Sequence, residues 1–158
     1  MSDEPSGLDV VGQVAARVVA CGGGLLRVAV GGMDGSGTTV FADKVAAAVR
    51  GLGRPAVRVS VDDFHHERPV RYRRGRSSPE GFWRDSYDYV RFRRDVLAPF
   101  GPGGSRLYRH AARDVRSDAA LDVEPRVAEP GSVLVVDGIF LHREEPALAW
   151  DLSVFLVS

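Results

Sequence analysis

Cysteine, lysine and long apolar runs are all scarce in this chain. Cys21 is the only cysteine, which excludes an internal disulfide and any cysteine-based zinc cluster. Lys44 is the only lysine among 21 basic residues, so arginine is the default cation and a single arginine carries little functional weight. Those 21 basic residues meet 21 acidic ones, for a formal charge of zero. Zero charge excludes a whole-domain attraction to nucleic acid or anionic membrane, a local basic patch apart. No apolar run reaches the roughly 20 residues a membrane span needs. The N-terminus Met1-Ser2-Asp3-Glu4-Pro5 is acidic and has no basic segment of a secretory signal. The expected setting is a reducing cytoplasm, with neither nucleic acid nor membrane as a partner.

What is present suits a single domain. The 158 residues are 44% hydrophobic and 27% charged, enough apolar material for a core. Residues 1–7 read as a disordered tail and 8–158 as one domain, without internal repeats. Leu8, Val11, Ala15 and Val18 recur at helical spacing, predicting a helix over roughly 8–20. Leu25 to Val30 is nearly all apolar and fits a strand buried on both faces. Phe41, Val45, Ala48 and Leu52 predict a helix at about 38–50, and Ala56 to Val61 alternates as a second strand. Residues 65–80 read as a mobile loop, Tyr87 to Leu97 as a helix and 99–131 as turns with a hairpin. Val133 to Val136 and Leu152 to Val157 supply two more strands. Strands alternating with helices predict an α/β domain with a parallel sheet and crossover helices.

Between the first strand and the second helix lies Gly31-Gly32-Met33-Asp34-Gly35-Ser36-Gly37-Thr38-Thr39. Against the phosphate-binding pattern G-x-x-x-x-G-K-[ST], Gly32 and Gly37 are the glycines and Thr39 the final hydroxyl. Thr38 stands where the pattern has lysine. Glycines let successive backbone N–H groups turn around an anion, and the following helix N-terminus adds partial positive charge. The candidate phosphate-binding residues are therefore Gly32, Asp34, Gly35, Ser36, Gly37, Thr38 and Thr39, with Thr39 placed to ligate magnesium. An ordinary glycine turn is the alternative.

Acids end two of the strands. Asp62 and Asp63 follow the second, where ligands of doubly wound sheets sit; one could take a proton from a substrate hydroxyl, or simply cap a turn. His65 and His66 come next and suit substrate contact or plain solvent exposure better than a metal. Asp137 follows Val133-Leu134-Val135-Val136, as the acid near magnesium does in phosphate-loop proteins. Arginines 68, 71, 73, 74 and 76 fit a solvated loop that touches an anionic substrate, with a nucleic-acid patch as the sharper alternative. Trp83, Tyr87 and Tyr89 could stack on a base or pack in the core.

Together these motifs resemble the uridine kinase family of P-loop kinases, relatives of nicotinamide riboside kinase, pantothenate kinase and phosphoribulokinase. The likeness rests on Val28 to Ala42, Val59 to His65 and Val133 to Phe140, in family order and spacing, and on Phe82 to Asp88. It implies a P-loop NTPase-type doubly wound sheet and ATP- and magnesium-dependent phosphorylation of a nucleoside ribose 5′-hydroxyl. By position Asp62 matches the family's catalytic base, Asp85 the residue holding ribose hydroxyls, and Asp137, with Thr39, the magnesium side; His65 falls on the substrate side. Two departures stand out. Thr38 replaces the lysine, and the chain ends at Ser158 where the family continues into an arginine-bearing lid and a last strand. The strand at 152–157 is then expected to be an open edge through which a second copy could pair. A non-catalytic nucleotide-binding protein and a kinase of another small hydroxylated metabolite remain the alternatives.

Overall fold

The computed structural model describes residues 7–32, 37–142 and 148–157. The tail at 1–6 and the loop positions Asp34, Gly35 and Ser36 lie outside the described residues. The chain runs α1 (Gly7–Ala20), β1 (Leu26–Gly32), α2 (Thr38–Gly51) and β2 (Ala56–Ser60). A 3-10 turn (Val61–Phe64) leads to α3 (Arg68–Arg71), α4 (Pro79–Asp85) and α5 (Tyr89–Phe92). A hairpin of β3 (Leu107–Tyr108) and β4 (Arg126–Val127) precedes β5 (Val133–Gly138) and β6 (Leu152–Leu156).

Four strands form a parallel sheet in the order β2-β5-β1-β6. Alternate residues of β5 serve opposite faces, which is why the segment reads as continuously apolar. Val133 and Val135 join Val28 and Val30 under α1 and α2, against Val11, Ala15, Val18, Ala42, Val45 and Val49. Leu134 and Val136 face the other layer, with Val59, Phe64, Tyr89, Phe92, Val96 and Phe100. Helical segments on both faces of a parallel sheet make the α/β architecture expected from the strand and helix periods. Among the described residues, no helix is long and apolar enough to cross a membrane.

Two segments differ from the sequence reading. The expected loop at 65–80 is built instead: Ser78 caps α4 by accepting from the Gly81 N–H at 3.0 Å, and Pro79 starts the helix. Asp118, far along the chain, accepts from the Arg68 N–H and anchors α3. The helix expected from Tyr87 begins at Tyr89, because the Asp88 carboxylate caps it through the Arg91 N–H at 3.1 Å. It then widens into a π turn over Arg93–Leu97 and tightens into a 3-10 turn over Ala98–Phe100.

Candidate active site

The site forms at the carboxyl ends of β1, β5 and β2. Gly37 stands at the N-cap of α2 with φ 80, a left-handed conformation that glycine adopts without a Cβ penalty. Gly37 has no side chain to cap the helix, and among the described residues no side-chain cap is made to its first turn. Gly32 is buried at the end of β1. Thr38 and Thr39 open the helix, Thr38 half-buried and Thr39 exposed.

Asp137 is the hub. It is 1% exposed and pairs in register with Val30 on β1 and Ser60 on β2. Oδ2 accepts from the Thr39 hydroxyl at 2.7 Å and from the Ser60 hydroxyl at 3.3 Å. Oδ1 accepts from Arg58 Nη2 at 2.7 Å. Arg58 also donates Nε to Asp43 of α2 at 2.9 Å, and Nη1 to the carbonyls of Val135 and Val59. Charge-assisted bonds of this length are the strong class.

Ser60 ties this hub to Asp62. Its oxygen accepts from the Asp62 N–H at 3.2 Å, capping the 3-10 turn that carries the acid. The Tyr87 hydroxyl donates to Asp62 Oδ1 at 3.2 Å, and His65 Nδ1 lies 2.6 Å from the Asp62 carbonyl. The rings of His65 and Tyr87 are 4.6 Å apart. Burial, then the charges of Asp62, Asp137 and Asp114, raises the Asp63 pKa above the usual carboxylate value. Burial lowers that of His65, outweighing the opposing effect of Asp62, so the ring favours the neutral form.

Asp85 sits at the end of α4 with its side chain 1% exposed. Arg73 Nη2 donates to it at 2.7 Å and Arg74 Nη1 stands at 3.6 Å. The Arg73 hydrogen bond, foremost, holds its carboxyl below the usual range. Between His65 and α4 opens a cavity of about 100 Å³, lined by Arg71, Tyr72, Arg76, Ser78 and Ser86 among others. Tyr87 and Tyr89 are buried in the core, whereas Trp83 is partly exposed and meets Phe140 edge-on at 4.6 Å.

Three solved structures share this arrangement of strands and helices. A possible uridine kinase from Bacillus stearothermophilus superposes with a TM-score of 0.77 at 18% identity, over 94% of this chain and 78% of that one. A candidate fructose transport system kinase from a Silicibacter species gives 0.68 at 23% identity, over 96% and 74%. A D-glycerate 3-kinase from Cryptococcus neoformans var. grubii gives 0.55 at 15%, over 85% and 52%.

The chain has the P-loop kinase fold.

No protein-family model and no curated protein matches the sequence. Asp62 follows β2 and Asp137 lies in β5; Thr39 bonds Asp137 directly, and Ser60 links Asp137 to the Asp62 N–H. Arg58, Ser60 and Tyr87 complete the cluster, and sequence reading passed over them in this role. The signal was present for Arg58 and Ser60, the polar positions of an otherwise valine-built strand. Among the described residues no three His, Cys, Asp or Glu side chains could hold a metal by themselves. Magnesium takes one or two protein oxygens together with water and phosphate oxygens. The oxygen donors of Thr39 and Asp137 are of the right kind.

Proposed function

We propose that this chain binds ATP at the β1–α2 turn and transfers its γ-phosphoryl group to a hydroxyl of a small molecule. The uridine kinase likeness points first to a nucleoside ribose 5′-hydroxyl, and another hydroxylated metabolite is the second choice. The observation that carries the reading is the 2.7 Å bond from Thr39 to Asp137, linked through Ser60 to Asp62. It joins the phosphate side of the site to a carboxylate free to act as base.

In this reading the backbone of Gly32, Asp34, Gly35, Ser36, Gly37, Thr38 and Thr39 cradles the phosphates, aided by the α2 N-terminus. Thr39 and Asp137 would hold magnesium, which when bound neutralises charge on the outer phosphate oxygens. Because the Thr39 proton is given to Asp137, the hydroxyl's lone pairs face the other way. Tyr87 holds Asp62 Oδ1, leaving Oδ2 for the acceptor. The acceptor oxygen attacks the γ-phosphorus, its proton passes to Asp62, and the bond to ADP breaks. His65 and Asp85 form the acceptor side, Asp85 acting together with the arginines that grip it. The cytoplasm supplies both substrates.

Thr38 cannot supply the ammonium that normally binds the outer phosphates. A charge-assisted hydrogen bond contributes about 1.5–3 kcal/mol, so nucleotide affinity is expected to be about 10–150-fold below that of a lysine-bearing site. Lost transition-state charge stabilisation costs roughly 100–1000-fold in rate. This substitution favours a second reading, a nucleotide-binding protein without turnover. ADP release measured with a panel of nucleosides and small hydroxylated acceptors separates the two. Turnover above buffer supports the kinase; its absence with every acceptor, despite nucleotide binding, leaves the second. Thr38→Lys should tighten nucleotide binding in either case, and if neither form binds nucleotide both readings fail.

A further inference from the structure

The cavity beside Asp62 is built around a cation with an unmet donor. Arg71 is 9% exposed along its side chain, yet its buried Nε has no hydrogen-bond partner among the described residues. Among the described residues its ion pair is with Asp118, a long 3.4 Å from Nη2, and Asp118 already accepts the Arg68 N–H at 3.0 Å. A buried donor left unpaired is costly, more so when the group is charged. A bound ligand is one way such a donor is completed.

Its surroundings share the sign. The guanidinium carbon of Arg71 lies 5.2 Å from the centre of the Tyr72 ring, and that of Arg76 lies 5.0 Å from the same ring. Two cations thus gather at one aromatic edge of a cavity whose described lining contains no carboxylate. Arg73 and Arg74 are turned to Asp85 and add nothing here. The nearest balancing charge, the Asp118 carboxylate, also accepts the Arg68 backbone N–H, while Arg113 donates to the Asp118 backbone carbonyl. Ser78 contributes a hydroxyl whose oxygen accepts from Gly81, leaving its proton to donate. The volume of about 100 Å³ holds about three waters or one carboxylate or phosphate. His65 is the wall between this space and Asp62, since it lines the cavity and contacts the Asp62 carbonyl at 2.6 Å.

We propose that this cavity binds an oxyanion on the acceptor, a carboxylate or phosphate, gripped by Arg71 and Arg76 while the acceptor hydroxyl reaches past His65 to Asp62. The acceptor is then a small hydroxylated acid or sugar phosphate rather than a neutral nucleoside. The assignment of an acceptor role rests on the kinase reading above; the anion site itself does not.

Calorimetric titration of the intact chain with glycerol, glycerate and glycerol phosphate tests it, with and without a non-hydrolysable ATP analogue. At least one of the anions should bind 10-fold or more tightly than glycerol, and which one does so identifies the group. Arg76→Gln, at an exposed position, should weaken that anion several-fold and leave glycerol unchanged. Arg71→Gln should abolish the preference, and Arg71→Lys should restore part of it. Equal binding of all three compounds, no binding of either anion, or an anion preference indifferent to both arginines would overturn the proposal. The two readings fail separately. Anion binding without ADP release from any acceptor sinks the kinase and keeps the site, whereas phosphorylation of neutral nucleosides without anion binding does the reverse.

Discussion

Arg58 decides the state of Asp137. A strand residue facing a helix is ordinarily apolar, yet here a side chain only 16% exposed spans two carboxylates and two carbonyls. Removing one member of a buried ion pair strands the other charge, at a cost of about 3–5 kcal/mol. Arg58→Ala is therefore expected to lower the urea midpoint sharply, while Arg58→Met combined with Asp137→Asn should recover most of the loss. His65 sets a pH response. Burial lowers its folded pKa below the ordinary 6.5, so the unfolded chain binds the proton more readily. Its contribution is complete above 6.5 and is lost as pH falls toward the folded value. His110 and His142 are lowered by burial in the same sense. Unfolding midpoints should fall from pH 7.5 to 5.5, and His65→Asn should shrink that fall. At this scale the sequence showed the acids but not their holders. Asp62 and Asp137 announce themselves at strand ends, whereas Arg58 meets Asp137 across 79 positions, a contact no local pattern encodes.

Packing between elements fixes where Asp62 points. Gly138 ends β5 so close to the 3-10 turn that an added Cβ would lie 2.1 Å from Val61 Cγ1. Val61 has no exposure and immediately precedes Asp62, so overpacking here displaces the base as well as the core. Gly138→Ala should cost about 1–3 kcal/mol, read as a lower melting temperature, and Val61→Ala in the same chain should relieve only the steric part, because Gly138 also has φ 155. The strands and the first two helices were legible because their apolar periods are long and regular. The 65–80 segment was not. Its many arginines suggested a solvated loop, while its order comes from the Ser78 cap and from Asp118, supplied by a distant stretch. Short helices held by such contacts carry little periodic signal. The π turn after Phe92 was equally silent in the pattern.

Across the whole molecule, the parallel sheet followed from the alternation of strands and helices, but the order β2-β5-β1-β6 did not. Neighbour choice depends on crossovers that sequence periodicity does not specify. Among the described residues that order pairs β6 with β1 on one side only. Phe155 is 56% exposed on this edge, beside an exposed Val157. Exposed apolar edge strands invite pairing, so the chain should self-associate at micromolar concentration, and Phe155→Lys should shift sedimentation toward the monomer. The hub at Asp137 also carries a thermodynamic signature. Its carboxylate already has three donors, two hydroxyls and a guanidinium that it shares with Asp43. Magnesium nucleotide binding is then an exchange of partners rather than the filling of a bare charge. Its heat should be small, because donors to Asp137 are exchanged rather than gained.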